Sequence, residues 1–255
     1  MSILWRVFYS MKIYLAGMES YHFCIEENMN LRPYVLESFY SVNKDTEKLL
    51  QYYNDFMLDS GAFTFMRENK KILDWNAYIE KYADFIVRND IRKFFELDID
   101  SIVGYDKVKE FRYKLECLTN RACIPVWHKS RGLDEFLRMC DEYDYVSIGG
   151  IVTKEITPNE YNVFSILIKE AHRRKAKIHG LGFTRLQLLP KYHFDSVDST
   201  SWLGGGRFGT LYFFNGKTIY RKIVPEGHRL KDFKTVSFHN FKEWVKFQKY
   251  AENHL

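Results

Sequence analysis

The sequence has few cysteines and no long apolar run, and each shortage excludes a class of protein. No stretch approaches the roughly 18 consecutive apolar residues that cross a bilayer, and the first residues lack the apolar region of a signal peptide. The four cysteines, Cys24, Cys117, Cys123 and Cys140, form no Cys-x-x-Cys pair and no cluster with histidine. This argues against a zinc site or a disulfide framework. We therefore expect a cytoplasmic protein with free thiols, no bound metal, no cofactor and no membrane contact.

The sequence does contain enough apolar residues for a large core. Of its 255 residues, 46% are hydrophobic, and short β-branched or aromatic runs alternate with amphipathic stretches. This alternation is typical of βα units around a parallel sheet, and eight such units favour a (β/α)8 barrel. The predicted strands are 12–17, 33–39, 54–59, 93–98, 123–128, 145–150, 177–182 and 195–200. The predicted helices between them are 75–88, 105–119, 133–140, 160–174 and 185–192.

The chain after the last predicted strand has a different pattern. The glycine run at 204–206 precedes no strong helix, so it favours a tight turn over a phosphate loop. An open doubly wound sheet would carry its glycine-rich turn after an early strand, and none is present there. Asn215-Gly216 predicts a hairpin of 210–214 and 217–224, and a helix follows at 240–252. We expect 1–202 to form the barrel and 203–255 a short extension packed on it, not an independent domain.

The net positive charge of the chain lies in that extension. Residues 203–255 carry ten Lys and Arg against four acidic residues, a net charge of +6, whereas the whole chain carries +5. These cations are interleaved with aromatic residues, the combination that phosphate contact and base stacking require. A solvated surface would explain the charge equally simply. The candidate nucleic-acid contacts are Arg207, Arg221, Lys222, Arg229 and Lys231.

Aspartates recur at the predicted strand ends that would converge on one mouth of the barrel. Asp59, Asp98 and Asp198 each end a predicted strand, and Asp100 and Asp195 lie close by. A single aspartate at such a place also fits a turn or a helix cap. Several like charges in one cleft favour chemistry or a cation, and the spacing offers too few oxygen ligands for a hard cation. A carboxylate pair, one nucleophile and one proton carrier, is the simpler interpretation.

In order along the chain, these strand ends resemble those of the tRNA-guanine transglycosylase superfamily. They are most similar to the short phage and bacterial enzymes that place 7-deazaguanines in DNA. The similarity covers about residues 12–209. It is carried by Leu58-Asp59-Ser60-Gly61-Ala62-Phe63, Phe94-Phe95-Glu96-Leu97-Asp98, Ile148-Gly149-Gly150, Ile178-His179-Gly180-Leu181-Gly182 and Asp195-Ser196-Val197-Asp198.

The resemblance implies a role for each of these strand ends. Asp198 would be the nucleophile and Asp59 the general acid/base, with Asp195 the less favoured nucleophile. The guanine or 7-deazaguanine base would contact Ser60, Phe63, Asp98, Asp100, His128, Gly149, Gly150 and His179. Asp98 would read the base edge, with Asp100 as its alternative. Trp127 or His128 stands where the family has glutamine, and His179 where it has methionine.

The resemblance implies a base exchange in DNA with a free 7-deazaguanine as co-substrate, in the host cytoplasm if a phage encodes the chain. The zinc module of the tRNA enzymes is absent, because no cysteine follows Cys140. Three alternatives remain open: exchange in tRNA, a non-catalytic nucleic-acid-binding subunit of such an enzyme, and an ordinary glycoside hydrolase. The oligomeric state is not predicted.

Overall fold

The computed structural model describes residues 10–61, 64, 74–183, 185–205, 209–223 and 232–255. Four of the candidate site residues, Phe63, Arg207, Arg229 and Lys231, lie outside these ranges. None of the described helices is long and apolar enough to cross a membrane.

Seven parallel strands form one curled sheet, in the order β3-β2-β1-β7-β6-β5-β4. They are β1 (Lys12–Ala16), β2 (Tyr34–Ser38), β3 (Asp55–Asp59), β4 (Val126–Trp127), β5 (Tyr145–Ile148), β6 (Lys177–Gly180) and β7 (Ser196–Ser199). Each lies within a predicted strand, so seven of the eight predictions are confirmed in place and direction. Parallel pairing brings the carboxyl ends of all seven to one edge of the sheet.

The remaining predicted strand, 93–98, which is the fourth along the chain, forms only two isolated bridges. Phe94 pairs with Leu58 of β3, and Phe95 pairs with Ile124 just before β4. The ladder stops there because a side chain replaces the backbone acceptor: Val126 N donates to Glu96 Oε1 at 2.8 Å. The segment at Phe94 and Phe95 thus bonds to the β3 edge and to the chain entering β4, the two ends of the curled sheet.

Helices cover the outer face of the sheet. They are α1 (Phe23–Glu26), α2 (Lys44–Leu49), α3 (Trp75–Arg88), α4 (Asp100–Val103), α5 (Tyr105–Thr119), α6 (Gly132–Glu142), α7 (Val163–Arg173) and α8 (Phe233–His254). The predicted helices 75–88 and 105–119 have the predicted bounds. The predicted helix 185–192 is wrong, because only a 3-10 turn, Leu186–Leu188, forms there. Pro190 has no N–H to donate, so it removes a hydrogen bond that a helix over 185–192 would need.

Two kinds of core lie on the two faces of the sheet. The inner face buries Tyr14, Ala16, Tyr34, Leu36, Met57, Phe95, Ile124 and Val126. The outer face packs against the helices through larger clusters that include Val197 and Phe194. Alternation along each strand therefore sends every second side chain into the curled sheet, where polar groups can reach one another.

The chain after β7 packs back on β1. Strands β8 (Thr210–Phe214) and β9 (Ile219–Ile223) form the predicted antiparallel hairpin, and Gly216 takes the left-handed conformation of its turn at φ 92°. The predicted C-terminal helix is present and longer than expected, because Asp232 caps it by accepting from Thr235 N at 3.1 Å. Its Gln248 Nε2 donates to Ile13 O at 2.6 Å and to Tyr34 O at 2.8 Å.

Candidate functional site

Asp198 lies inside the curled sheet at the carboxyl end of β7. Its Oδ1 accepts from Gly182 N at 2.5 Å and lies 3.3 Å from His179 Nε2. Asp195 points to the other face, where its Oδ2 pairs with His172 Nε2 at 2.9 Å and accepts from Ile178 N at 2.8 Å. The alternation of side chains therefore gives Asp198 the inward position and leaves Asp195 hydrogen-bonded to His172 and to Ile178 N on the other face, as the sequence pattern predicts.

Asp59 ends β3 and faces the same edge of the sheet. Its Oδ2 accepts from Gly61 N at 3.0 Å, in a turn that needs the left-handed φ of +84° at Gly61. Burial and, to a lesser extent, the charges of Asp98 and Asp198 raise the pKa of Asp59 to about 6, against the hydrogen bond from Gly61. The charges of Asp98 and Asp198 act on Asp59, so the three aspartates lie near one another, and Asp59 takes up and releases its proton near pH 6.

A further carboxyl group in this cleft was missed by the sequence analysis. Glu19, three residues beyond β1, accepts from Ser38 N through Oε1 at 2.5 Å. Burial raises the pKa of Glu19 to about 7, with the charges of Glu37 and Asp59 adding to the effect. Its place just after a predicted strand end was the only signal that could have identified it.

His128 connects the carboxylates of Asp98 and Glu155. Its Nε2 lies 2.9 Å from both oxygens of Asp98, and its Nδ1 lies 2.8 Å from Glu155 Oε2. Burial alone would lower the pKa of His128, but the hydrogen bonds and charges of Asp98 and Glu155 outweigh it and raise the pKa to about 9. At neutral pH the ring is therefore an imidazolium. Trp127 instead faces outward, donating to Gly132 O at 2.7 Å, so His128 is the residue in the cleft.

Arg131 neutralises the remaining charge around Asp98 and was also missed. Its guanidinium bonds Asp100 Oδ2 at 3.0 Å and Asp98 Oδ1 at 3.4 Å and lies 4.2 Å from the centre of the Tyr105 ring. Asp98, Asp100, His128 and Arg131 line a cavity of about 690 Å³. Asp98, Asp100 and His128 could each offer one ligand atom to a metal ion. A cation would have to compete there with Arg131 and with the His128 proton.

The glycine pair allows His128 and Glu155 to approach the end of β5. A Cβ on Gly149 would lie 2.8 Å from the His128 ring, and one on Gly150 would lie 2.7 Å from Glu155 Oε2. Gly150 also has a φ of +77°. Both glycines therefore serve the Asp98-His128-Glu155 arrangement, in addition to any approach of a ligand to this backbone.

Ser60 and the cations of the hairpin complete the candidate residues. Ser60 is fully buried, and among the described residues its Oγ has no hydrogen-bond partner. Arg221 and Lys222 are exposed on β9, and Lys222 Nζ lies 5.4 Å from the centre of the Phe213 ring. Lys222 and Phe213 therefore lie on one face of the hairpin, whereas Arg221, the residue before Lys222, points to the other face.

Comparisons with known proteins leave the family open. No protein-family model and no curated protein matches the chain. The carboxyl transferase domain of Rhizobium etli pyruvate carboxylase with 3-bromopyruvate has a TM-score of 0.48 at 11% identity, over 95% of this chain and 48% of that chain. An enolase protein from the environmental genome shotgun sequencing of the Sargasso Sea has a TM-score of 0.40 at 9% identity, over 74% of this chain and 52% of that chain. The chain spans about half the length of these structures.

Proposed function

We propose that this chain is a guanine transglycosylase that exchanges a guanine of DNA for a free 7-deazaguanine, using Asp198 as nucleophile and Asp59 as proton carrier. The observation that carries the proposal is the difference between the two carboxyl groups of one cleft. Asp198 accepts from Gly182 N and lies 3.3 Å from His179 Nε2, whereas Asp59 is buried with a pKa of about 6. Two carboxyl groups in unlike environments are the usual arrangement for paired nucleophilic and acid/base roles.

The proposed scaffold is a closed (β/α)8 barrel with Phe94 and Phe95 as its fourth strand. The bridges from Leu58 to Phe94 and from Phe95 to Ile124 support closure, because they link both ends of the curled sheet to one segment. In such a barrel the carboxyl ends of the strands surround a single mouth. Glu19, Asp59, Asp98, His128 and Asp198 would then share that mouth.

The exchange proceeds in two displacements at C1′ of the flipped nucleotide. The Asp198 carboxylate attacks C1′, the bond from C1′ to guanine N9 breaks, and N9 takes the proton of Asp59. The 7-deazaguanine then enters the vacated site and gives its N9 proton to the Asp59 carboxylate. Its nitrogen bonds to C1′ while the ester to Asp198 breaks. Two inversions give net retention, and Asp59 returns to its protonated form.

We assign recognition of the base to the cavity lined by Asp98, the aspartate whose charge acts on Asp59. The N1–H and N2–H groups of a guanine edge are donors, and Asp98 is a carboxylate in a cavity of about 690 Å³. His128 and Arg131 donate to Asp98 and hold it in place. A base without those donors would form no hydrogen bond to Asp98, so the site would bind it less tightly.

Incorporation of a radiolabelled 7-deazaguanine tests the proposal directly. The purified chain is incubated with the base and with duplex DNA, single-stranded DNA or tRNA, and labelled nucleic acid is counted. Label in DNA, lost in Asp198→Asn, supports the proposal. Label in tRNA alone would assign the exchange to tRNA. Binding of nucleic acid without label in either would contradict an enzyme and favour a non-catalytic subunit.

A further inference from the structure

A chain of buried hydrogen bonds leads from Asp198 into the interior of the curled sheet. His179 Nε2 lies 3.3 Å from Asp198 Oδ1, and His179 Nδ1 lies 2.5 Å from Ser196 Oγ. Ser196 Oγ lies 2.5 Å from Tyr145 OH. His179 and Ser196 are fully buried, so each of these polar atoms depends on the next one for its hydrogen bond.

Neighbouring strands fix this arrangement. His179 pairs with Ser196 in the register of β6 and β7, which puts their side chains on the same inner face. The His179 ring is held on both sides, with its centre 5.4 Å from that of the Phe95 ring and 6.3 Å from that of Tyr14. The ring therefore cannot turn away from Asp198 without disturbing the inner core.

The donors and acceptors allow one consistent assignment for a neutral ring. Tyr145 donates to Ser196 Oγ, Ser196 donates to His179 Nδ1, and the ring proton on Nε2 points to Asp198 Oδ1. The opposite tautomer would place the Nε2 lone pair against a carboxylate oxygen. That oxygen already accepts from Gly182 N at 2.5 Å, so it is not the oxygen that would carry a proton.

We propose that Tyr145, Ser196 and His179 are positioning residues that orient the Asp198 carboxylate for attack on C1′. They hold Oδ1 through the Nε2 proton, together with Gly182 N–H, and leave Oδ2 as the attacking oxygen. Among the described residues no hydrogen bond reaches Oδ2. The role in catalysis rests on the proposed function, whereas the hydrogen-bond chain itself does not.

The effect of this orientation on kcat can be measured, because displacing a reacting atom by about 1 Å can slow the reaction by about 100-fold. Ser196→Ala removes the group that fixes the tautomer and should lower kcat about 10-fold with little change in KM. Tyr145→Phe should lower kcat by about 3-fold, because Ser196 keeps its bond to the ring. His179→Leu should lower kcat about 100-fold, and His179→Gln, which can still donate to Asp198, should recover about 10-fold of that loss.

Ser147→Ala is the matched control. Ser147 is also fully buried, and its hydroxyl donates to the backbone carbonyl of His179 at 3.4 Å, not to the ring. Ser147→Ala removes a hydroxyl oxygen from the interior of the curled sheet, as Ser196→Ala does. A loss of kcat caused only by poorer packing would therefore appear equally in both serine variants. We expect Ser147→Ala to keep kcat within about 2-fold of the unmodified chain.

Imidazole 15N NMR tests the chain of hydrogen bonds without any reaction. The His179 signals are assigned by their absence in His179→Gln. We expect a protonated Nε2 and an unprotonated Nδ1 in the unmodified chain and in Ser147→Ala, and a mixture of tautomers in Ser196→Ala. A proton on Nδ1, alone or with one on Nε2, overturns the proposal.

The two measurements separate the failure of this proposal from that of the proposed function. If the unmodified chain exchanges no base, the proposed function fails and the tautomer alone decides whether Ser196 orients the ring. If exchange occurs but Ser196→Ala matches Ser147→Ala in kcat, the chain does not position the nucleophile.

Discussion

Burial of the charged Asp59 carboxylate should lower the free energy of unfolding by a measurable amount. The folded protein favours its protonated form, because the pKa of Asp59 is raised from its usual value of 3.8 to about 6. The free energy of unfolding therefore falls as the pH rises from about 4 to about 6, at about 1.4 kcal/mol for each unit of pKa shift. Removal of the charge should relieve this cost above pH 6 and have no effect below pH 4.

We predict that Asp59→Asn raises the free energy of unfolding at pH 7 by about 1–3 kcal/mol while it lowers base exchange by about 100- to 10,000-fold. Urea denaturation at pH 4 and at pH 7 measures the first effect. Asp106→Asn, on an exposed carboxylate of α5, should change stability by less than about 0.5 kcal/mol at either pH. A variant that is less stable at pH 7 than the unmodified chain would contradict the burial argument.

His128 has the opposite pH dependence. Its pKa is raised from 6.5 to about 9 by Asp98 and Glu155 against the effect of burial. Its contribution to stability is therefore complete below about pH 6.5 and is lost as the pH rises through about 9. The difference in unfolding free energy between the unmodified chain and His128→Gln should shrink by about 2–3 kcal/mol from pH 6 to pH 9.5. His254→Gln, at the exposed end of α8, should show no such change.

Asp198 in β7 and Asp195 just before β7 differ in what their substitution removes. Asp198→Asn keeps the shape of the side chain but cannot form a glycosyl ester, so we expect no detectable base exchange and a folded protein. Asp195→Asn weakens the ion pair with His172 on the outer face and should retain most of the activity. Single-turnover release of guanine compares them. If Asp195→Asn is the inactive variant, the assignment of the nucleophile is wrong.

Among the structural elements, the segment at Phe94 and Phe95 depends most on one side chain. Glu96 is fully buried, accepts from Val126 N at 2.8 Å and pairs with Arg112 at 2.6 Å and with Arg131 at 3.1 Å. It thereby joins this segment to β4, to α5 and to the turn that carries Arg131. Removal of its charge would take one carboxylate partner from each of two buried guanidinium groups, and Arg131 would keep Asp98 and Asp100.

Glu96→Gln should therefore lower the free energy of unfolding by about 3–5 kcal/mol. Chemical denaturation measures the loss. Glu142→Gln is the matched control, because it breaks an exposed pair with Arg138 at 2.6 Å and should cost at most about 1 kcal/mol. An equal loss in both variants would mean that Glu96 does not hold the segment.

The local elements follow from the sequence better than the site does. Strand positions and the inward direction of Asp198 follow from an alternation with a period of two residues. The helical pattern at 185–192 predicted a helix that does not form, because it took no account of Pro190. The contact of Glu96 with Arg131 joins residues 35 positions apart, and that of His128 with Glu155 joins residues 27 positions apart. A pattern along the chain carries no information on such distances, so the neutralisation of Asp98 could not be predicted.

At the scale of the whole molecule, the distribution of charge gives a test for nucleic-acid binding. Thr210 pairs with Ile223, so the open end of the hairpin lies close to the chain that leaves the carboxyl end of β7. Arg221 and Lys222 of β9 lie next to this open end, opposite Tyr212 and Leu211. Each phosphate that a cation neutralises adds about 0.9 to the slope of log affinity against log salt.

Substitution of Arg221, Lys222, Arg229 and Lys231 by glutamine should reduce that slope by about two to four, because not all four need to touch phosphate. Affinity for duplex DNA is measured by fluorescence anisotropy from low to moderate salt. The control replaces Arg88, Arg92, Lys107 and Lys109 on the α3 and α5 side, which removes the same charge from cations already paired with acidic residues. It should leave the slope within about one of that of the unmodified chain. An unchanged slope in the hairpin variant would place the DNA elsewhere, such as across Lys129 and Arg185 near the strand ends.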